Sequence, residues 1–305
     1  MNAPTIILII IAVIAVLILL AGWLLSGFIL RVRRQSLDEA RAWQAKHYDI
    51  SWYDAAEKRS YKINSFDGYE LYVQLIVNPA HTGKYVIISH GYTDNRYGAL
   101  KYARIYLDLG YSAIIYDLRG HGENEPSRCT YTAKERKDLR DLIKDTRKRY
   151  DDIEVLGIHG ESLGGSVSAA VLNYQPDIDF VVTDCAFSEL RKVLEDGYRA
   201  YRIPSFMLSL ADFFMKLRFK LSFKDMRPVD SLIGNRKPLL VIHGEADSLI
   251  LPYHAEALVQ ATEGYKDMRL FPGARHAESV LSDPDRYKAC LEEFLGIALK
   301  PDEGK

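Results

Sequence analysis

The pentapeptide Gly160–Gly164 reads G-x-S-x-G, and it constrains the fold of this chain more than any other feature. The apolar run Ile153–His159 before it predicts a buried strand, and the small residues of 166–174 after it predict a helix. A serine hydroxyl that stands clear of the backbone between a strand and a helix needs a sharp, strained turn. Side chains beside it would clash where strand and helix approach, so glycine is required there. The context therefore predicts Ser162 as a nucleophile at a strand end.

Strand and helix patterns alternate along the chain from about residue 61. The turn Asp67-Gly68 predicts a hairpin over residues 61–78. Further strands are predicted at residues 84–89, 111–118, 153–159, 180–186, 239–243 and 268–271, and helices at 99–109, 134–149, 166–174, 253–262 and 284–298. This alternation predicts an α/β fold with a mostly parallel sheet flanked by helices. In such sheets the functional site lies at the carboxyl ends of the strands.

Residues 188–237 interrupt the alternation and are too many for a loop. They carry aromatic residues at helical spacing, among them Tyr198, Phe206 and Phe213. We interpret this segment as an inserted helical cap over the strand ends. A simpler interpretation is that the aromatic residues only pack the helices together. The two interpretations are compatible, because a cap needs a core of its own.

Residues 3–30 carry no charge, and the run from Thr5 to Leu30 is almost wholly apolar. As a helix rising about 1.5 Å per residue it is about 39 Å long, enough to cross the roughly 30 Å core of a bilayer with some tilt. A secretory signal would have a basic segment before a shorter apolar core. We therefore interpret residues 1–30 as a transmembrane anchor, with residues 5–30 in contact with the lipid bilayer.

The anchor divides the chain into three predicted parts: residues 1–30, a polar connector at 31–60, and an α/β domain at 61–300 with the cap insertion 188–237. The connector is partly helical by pattern, because Ser36–Ala40 resembles a helix cap and first turn. Arg31, Arg33 and Arg34 follow the span directly, and no basic residue precedes it. The positive-inside rule then predicts a single-pass protein of the cell membrane with a cytoplasmic domain. The same arginines can also lie on anionic headgroups.

Composition argues against several classes of function. The net charge of -1 gives no global field that would attract nucleic acid, and the charged helix at 134–149 is best interpreted as a solvated face. The three cysteines, Cys129, Cys185 and Cys290, form no metal-binding spacing and predict buried free thiols. Neither a phosphate-binding loop nor a zinc-spaced cluster is visible, so we expect no cofactor and no metal.

A serine that attacks an acyl carbon needs a base, and eight histidines compete for this role. His276 is the best candidate, because it lies in a loop between the last strand and the last helix and follows both the serine and the acid in the chain order typical of this fold. His90, His159 and His243 each end an apolar strand beside a glycine, where orienting loops or satisfying backbone groups is the better interpretation. His121 lies in a glycine turn, and the remaining histidines, His47, His81 and His254, have the pattern of surface residues.

The acid that orients the base is predicted to be Asp247, which follows the strand at 239–243. Its carboxylate would accept the Nδ1–H of the histidine and stabilise the imidazolium. Asp184, near the end of the preceding strand, is a rival, and Glu245 is a weaker one. The oxyanion would be bound by the backbone N–H of Leu163, directly after the nucleophile, and by that of Tyr92 at an early strand end.

These motifs together resemble the α/β-hydrolase superfamily. Five segments carry the resemblance, which covers about residues 60–300: His90–Tyr92, Asp117–Gly122, Gly160–Gly165, His243–Asp247 and Gly273–His276. Within the superfamily the chain resembles bacterial membrane-anchored hydrolases of the serine aminopeptidase-like and monoacylglycerol-lipase-like group. The aminopeptidase label is a family name and is not evidence of peptidase activity.

The resemblance implies Ser162 as nucleophile, Asp247 as acid and His276 as base, with Tyr92 and Leu163 as N–H donors. We therefore expect a serine hydrolase that cleaves a carboxylic ester, most plausibly as a carboxylesterase or lipase-like enzyme on an apolar acyl substrate. The alternatives are a peptidase or thioesterase of the same fold, or a non-catalytic binding module at the membrane.

Overall fold

The computed structural model describes residues 2–300. Its eleven helices within that range are α1 (Ala3–Ile29), α2 (Leu37–His47), α3 (Ser51–Ala55), α4 (Leu100–Asp108), α5 (Glu135–Arg149), α6 (Leu163–Ala170), α7 (Leu190–Ala200), α8 (Phe206–Phe219), α9 (Tyr253–Ala261), α10 (Ser279–Ser282) and α11 (Pro284–Ala298). Its eight strands are β1 (Lys58–Asn64), β2 (Glu70–Ile76), β3 (Lys84–Ser89), β4 (Ser112–Tyr116), β5 (Val155–Glu161), β6 (Phe180–Asp184), β7 (Leu239–Gly244) and β8 (Lys266–Phe271).

The strands form one sheet in the order β1-β2-β4-β3-β5-β6-β7-β8. The hairpin β1–β2 pairs antiparallel and β2 pairs antiparallel with β4, whereas every later pairing is parallel. The predicted mostly parallel sheet flanked by helices is therefore confirmed. Because β3 to β8 run in the same direction, the loops that follow them meet at one edge of the sheet.

Both faces of the sheet are buried, as the continuous apolar strands require. Alternate residues of a strand point to opposite faces, so Ile87 belongs to one core and its neighbours Val86 and Ile88 to the other. The first core is covered by α5, α6, α9 and the segment between β6 and β7. The second is covered by α4 and α11.

The segment 188–237 between β6 and β7, called the cap below, contains α7 and α8. Helix α8 packs along α1, whose residues Gly22, Ser26 and Ile29 are buried. The guanidinium of Arg218 on α8 donates to Ser26 Oγ at 2.7 Å and lies 4.0 Å from the centre of the Trp23 ring. Apart from this face α1 is exposed, and within residues 2–300 it is the one helix long and apolar enough to span a membrane.

Residues 31–60, which follow α1, are in contact with the α/β domain. Ser36 and Glu39 form a capping box at the start of α2, as the sequence predicts. The N–H of Gln35 donates to the carbonyl of Thr93 at 2.9 Å, and the N–H of Cys129 donates to that of Leu30 at 3.1 Å. Strand β1 also begins at Lys58, inside the predicted connector. Residues 31–60 are therefore packed onto the α/β domain.

Candidate active site

Ser162 lies on the turn between β5 and α6 in a strained backbone conformation, with φ 53° and ψ -114°. A Cβ on Gly160 would overlap the carbonyl of Gly164, and one on Gly164 would overlap the carbonyls of Ser89 and His90. The glycines thus let the turn and the first residues of α6 lie against the end of β3. Helix α6 begins at Leu163, three positions before the predicted start at Ser166, because the turn leads into the helix without a linker.

Three predicted residues meet at the carboxyl edge of the sheet. Ser162 Oγ donates to His276 Nε2 at 2.9 Å, and His276 Nδ1–H donates to Asp247 Oδ2 at 2.7 Å. Ser162 follows β5, Asp247 follows β7 and His276 follows β8. The three side chains form one continuous hydrogen-bonded relay, in which the hydroxyl of a serine is linked through an imidazole to a carboxylate.

Asp247 is held in its ionised form. Its Oδ1 accepts the N–H groups of Leu249 and Ile250, each at 2.9 Å. Burial by itself would raise the pKa of Asp247, but hydrogen bonds from His243, His276 and the N–H of Ile250 outweigh burial and hold that pKa well below its usual range. The carboxylate therefore stays available to stabilise a positive charge on His276.

The two rival acids lie outside the relay. Asp184 accepts hydrogen bonds from the hydroxyls of Tyr102 at 3.1 Å and Ser279 at 3.2 Å, and burial raises its pKa to about 6. Glu245 is exposed to solvent. Neither carboxylate has His276 as a hydrogen-bond partner, so the geometry selects Asp247.

The two predicted oxyanion donors lie beside the serine. Within residues 2–300 neither the N–H of Tyr92 nor that of Leu163 has an acceptor. Leu163 is the first residue of α6, where an N–H has no partner in its own helix and lies at the positive end of the helix dipole. A Cβ on Gly91 would lie 3.7 Å from Ser162 Cβ, which places the loop carrying Tyr92 against the nucleophile. Both donors are thus free to bind a negatively charged oxygen.

Two of the three strand-end histidines bond to backbone groups, as the sequence predicts, whereas the ring of His159 bonds to two tyrosine hydroxyls. His90 Nε2 accepts the N–H of Leu118 at 2.9 Å, and His243 Nε2–H donates to the carbonyl of Ile250 at 2.7 Å. Burial lowers the pKa of His90 to about 4 and that of His159 to about 3, so both are neutral. The prediction that His254 is a surface residue is wrong. Its ring is buried and bonds to Ser188 at the start of the cap, because the cap covers the helix that carries it.

A cavity of about 290 Å³, called the serine cavity below, opens at Ser162 and His276. Its opposite wall is α2, through Ala40, Trp43 and Gln44. Sequence analysis missed these residues. The capping box reveals that a helix starts at Leu37, but the pattern of α2 carries no information about which surface the helix covers. The segment predicted as a connector therefore helps to enclose the site.

The wall of the serine cavity contains a buried ion pair between Lys101 and Glu161. Burial would lower the pKa of Lys101, but the adjacent carboxylate outweighs burial and raises it above the usual range. The pair therefore places charged atoms in the wall of the cavity that holds the nucleophile, without adding net charge. Within residues 2–300 one group of three potential metal ligands exists, formed by Cys185, Asp247 and His276. It uses the atoms that form the relay, and burial raises the pKa of the Cys185 thiol, so it suits a cation poorly.

The parallel sheet, the serine on a strained turn and the Asp–His pair on later loops define an α/β-hydrolase. A family model described as "Serine aminopeptidase, S33" matches residues 80–237. The chain is also 30% identical over 280 residues to the uncharacterized protein YqkD of Bacillus subtilis (strain 168), which covers 90% of this chain and 92% of that protein. The chain therefore belongs to the serine aminopeptidase S33 family of α/β-hydrolases.

Solved structures agree on the fold. An esterase of Pyrococcus furiosus, Pf2001, superposes with a TM-score of 0.68 at 22% identity, covering 88% of this chain and 98% of that chain. An esterase of Exiguobacterium antarcticum superposes with a TM-score of 0.58 at 17% identity, covering 78% of this chain and 100% of that chain. At these identities the superpositions support the hydrolase fold, and family membership makes this protein a hydrolase.

Proposed function

We propose that this protein is a membrane-anchored serine hydrolase that cleaves carboxylic esters through an acyl-enzyme. The observation that carries the proposal is the relay Ser162–His276–Asp247, with contacts of 2.9 and 2.7 Å, beside two N–H groups that have no acceptor within residues 2–300. A binding module has no need of this arrangement, since each of its parts serves nucleophilic attack on a carbonyl.

In the acylation step, Ser162 Oγ forms a bond to the acyl carbon while its proton passes to His276 Nε2. The electron pair of the carbonyl moves to the oxygen, where the N–H groups of Tyr92 and Leu163 bind the negative charge. Asp247 stabilises the imidazolium formed at the same moment. When the intermediate collapses, the bond to the leaving alcohol breaks and His276 returns the proton to the alcohol oxygen.

In the deacylation step, a water takes the place of the alcohol. His276 accepts a proton from the water, the hydroxide oxygen bonds to the acyl carbon, and the same N–H groups bind the oxyanion. Collapse breaks the bond to Ser162 Oγ, which recovers the proton, and releases the carboxylic acid. The strained turn keeps the hydroxyl in one position throughout both steps.

A peptidase of the same fold is the second candidate, and the family description names an aminopeptidase. The two solved neighbours from Pyrococcus furiosus and Exiguobacterium antarcticum are both esterases by name. An aminopeptidase would need an anion in the site to bind the α-ammonium group. Of the carboxylates that line the serine cavity, Glu161 is paired with Lys101 and Glu278 with Arg275, which leaves Asp94 as the candidate for that role. A panel of p-nitrophenyl esters, thioesters and peptide amides decides between them, and we expect turnover of the esters to dominate.

We also propose that α1 anchors the protein in the cell membrane and that the catalytic domain is cytoplasmic. The support is the exposed apolar surface of α1 together with the exposed basic residues Arg31 and Arg33 directly after it. The substrate would then be an apolar acyl compound available at the inner face of the membrane.

The proposed nucleophile is tested by labelling the full-length protein with a fluorophosphonate probe. We expect Ser162→Ala to abolish labelling and to reduce ester turnover by roughly 10⁴-fold or more. Ser168→Ala is a matched control, since this serine lies on the same helix and its buried hydroxyl has no partner within residues 2–300. Folded protein that takes up no label and turns over no ester would be a binding module, whereas a Ser162→Ala variant that keeps its turnover would mean that another residue is the nucleophile.

A further inference from the structure

A second cavity lies where the anchor meets the cap, and its walls are mostly apolar. It measures about 740 Å³ and is called the anchor cavity below. One wall is the last turns of α1 and the residues after it, through Leu25, Ile29 and Val32, and the facing wall is α7 of the cap, through Leu194 and Tyr198. The membrane-spanning helix is thus itself part of the cavity.

Tyr92 connects the anchor cavity to the nucleophile, because it lines both cavities. Its side chain lies towards the anchor, with the hydroxyl donating to the carbonyl of Arg31 at 2.6 Å and the ring stacked on Tyr131 at 5.7 Å between centroids. Its N–H is the free donor beside Ser162. A carbonyl oxygen bound by that N–H is therefore separated from the apolar cavity by the single residue Tyr92.

The position of the cavity along α1 places it at the surface of the bilayer. Leu25 and Ile29 belong to the end of the apolar span, and the exposed residues Arg31 and Arg33, which also line the cavity, follow at the level of the headgroups. Helix α8 lies along the same part of α1 and exposes Phe206, Phe213 and Leu217. The mouth of the cavity is therefore surrounded by surface suited to contact with lipid.

We propose that the anchor cavity is the acyl-chain site of the enzyme, and that an ester of a membrane lipid enters it sideways from the bilayer. Its acyl chain lies between α1 and α7, and its carbonyl reaches the N–H of Tyr92. The proposal rests on the proposed esterase function and adds to it the substrate class and a binding role for the anchor. The serine cavity measures only about 290 Å³ and contains the Lys101–Glu161 ion pair, whereas the anchor cavity measures about 740 Å³ and is mostly apolar, so a long acyl chain is accepted on the anchor side.

Adjacent leucines on α1 provide the test, because Leu25 lines the cavity and Leu24 is 55% exposed on the outer face. Full-length protein in lipid nanodiscs is assayed with 4-methylumbelliferyl butyrate and 4-methylumbelliferyl dodecanoate. We expect Leu25→Trp to reduce kcat/KM for the dodecanoate by about tenfold or more and to leave the butyrate within about twofold. Leu24→Trp adds the same side chain on the face towards lipid, and it should keep the wild-type ratio of kcat/KM for the dodecanoate to kcat/KM for the butyrate. Leu194→Trp fills the cavity from the cap and should act like Leu25→Trp.

Each outcome is decisive. If Leu25→Trp and Leu194→Trp keep the wild-type ratio of the two esters, or lose both esters equally, the cavity does not hold the acyl chain. If Leu24→Trp loses the dodecanoate as well, the effect comes from the membrane contact of α1, and the proposal is overturned. A short-chain fluorophosphonate shows which variants are folded, and the two cavity variants approach the same space from independent elements. Failure of the esterase proposal looks different, since wild-type protein would then cleave neither ester.

Discussion

Asp247, the acid that the sequence predicts, and Asp184, its rival, have different surroundings in the folded protein. Asp184 is the last residue of β6, and Asp247 follows the adjacent strand β7. Asp247 accepts two backbone N–H groups and imidazole N–H groups of His276 and His243. Asp184 lies in a buried cluster with Glu161, and within residues 2–300 its carboxylate receives hydroxyl donors only. Their pKa values consequently shift in opposite directions, with Asp247 ionised and Asp184 protonated up to about pH 6.

Exchange of each carboxylate for an amide tests the assignment of the acid. We expect Asp247→Asn to reduce kcat by about 10³- to 10⁴-fold, because the amide favours the wrong tautomer of His276 and cannot stabilise the imidazolium. Asp184→Asn should keep kcat within about tenfold, since its partners are hydroxyls outside the relay. The measurement is steady-state hydrolysis of a p-nitrophenyl ester at pH 8. The assignment fails if the second variant is the inactive one.

The raised pKa of Asp184 also predicts that the stability of the folded protein depends on pH. Burial raises its pKa in the folded state to about 6, against about 3.9 in an unfolded chain. Between these values the folded state holds the proton that the unfolded state has released, so this group's contribution to stability is complete below about pH 4 and is lost as pH rises to about 6. Asn does not titrate. The free energy of unfolding of Asp184→Asn minus that of wild type should therefore increase by up to about 3 kcal/mol between pH 4 and pH 6.5.

Denaturant unfolding of both proteins in detergent micelles at the two pH values checks this prediction. Two other carboxyl groups have raised pKa values, the half-buried Asp94 and the buried Asp138, and both titrate in both proteins and cancel in the difference. A difference between wild type and variant that does not change with pH would mean that Asp184 is ionised when buried.

The residues of the site were predictable because their chemistry is tied to local pattern and chain order. Ser162 has its glycines, and His276 has its place between the last strand and the last helix. The sequence favoured Asp247, but excluding Asp184 depends on where N–H donors point in the folded loops, which no spacing encodes. The burial of His254 was equally beyond the pattern, since the cap that covers it comes from a distant part of the chain.

At the scale of elements, the bounds of the strands and of α11 follow the predicted ones closely, because long apolar or periodic runs carry strong signals. The sequence predicted the least about residues 31–60, the segment interpreted as a connector. The start of α2 was readable from Ser36, but its contact with the serine cavity depends on long-range packing. The pairing of α1 with α8 was likewise hidden, although the small residues Gly22 and Ser26 are the type that allows close approach between helices.

The contact between α1 and α8 makes a specific prediction about Gly22. A Cβ there would overlap the side chain of Leu210, so Gly22→Val should separate the two helices. The neighbouring residue Ala21 is exposed, and Ala21→Val adds an apolar side chain without touching α8. We expect amide hydrogen exchange in α8 to rise about tenfold or more in Gly22→Val and to stay unchanged in Ala21→Val, because packing on α1 protects α8 from local opening. Equal exchange in both variants would mean that α8 is stable without the anchor.

At the scale of the whole molecule, the anchor, the cap and the catalytic residues lie on the same side of the sheet. The chain leaves α1 directly onto the carboxyl edge of the sheet, where Leu30 bonds to Cys129 and Arg31 bonds to Tyr92. The cap is inserted after β6 at the same edge. If α1 spans a membrane as proposed, the active site faces the membrane surface, and the side on which the domain lies determines which leaflet it can reach.

The proposed cytoplasmic orientation can be measured with cysteine labelling, because all three native cysteines are buried. Lys144→Cys adds an exposed thiol to α5 on the catalytic domain, and Asn2→Cys adds one at the opposite end of α1. In bacterial spheroplasts a membrane-impermeant maleimide should label Asn2→Cys at once and Lys144→Cys only after permeabilisation. The physical reason is that Arg31, Arg33 and Arg34 resist transfer across the bilayer against the membrane potential. If intact spheroplasts label residue 144 instead, the arginines lie on outer-leaflet headgroups and the enzyme acts on that leaflet.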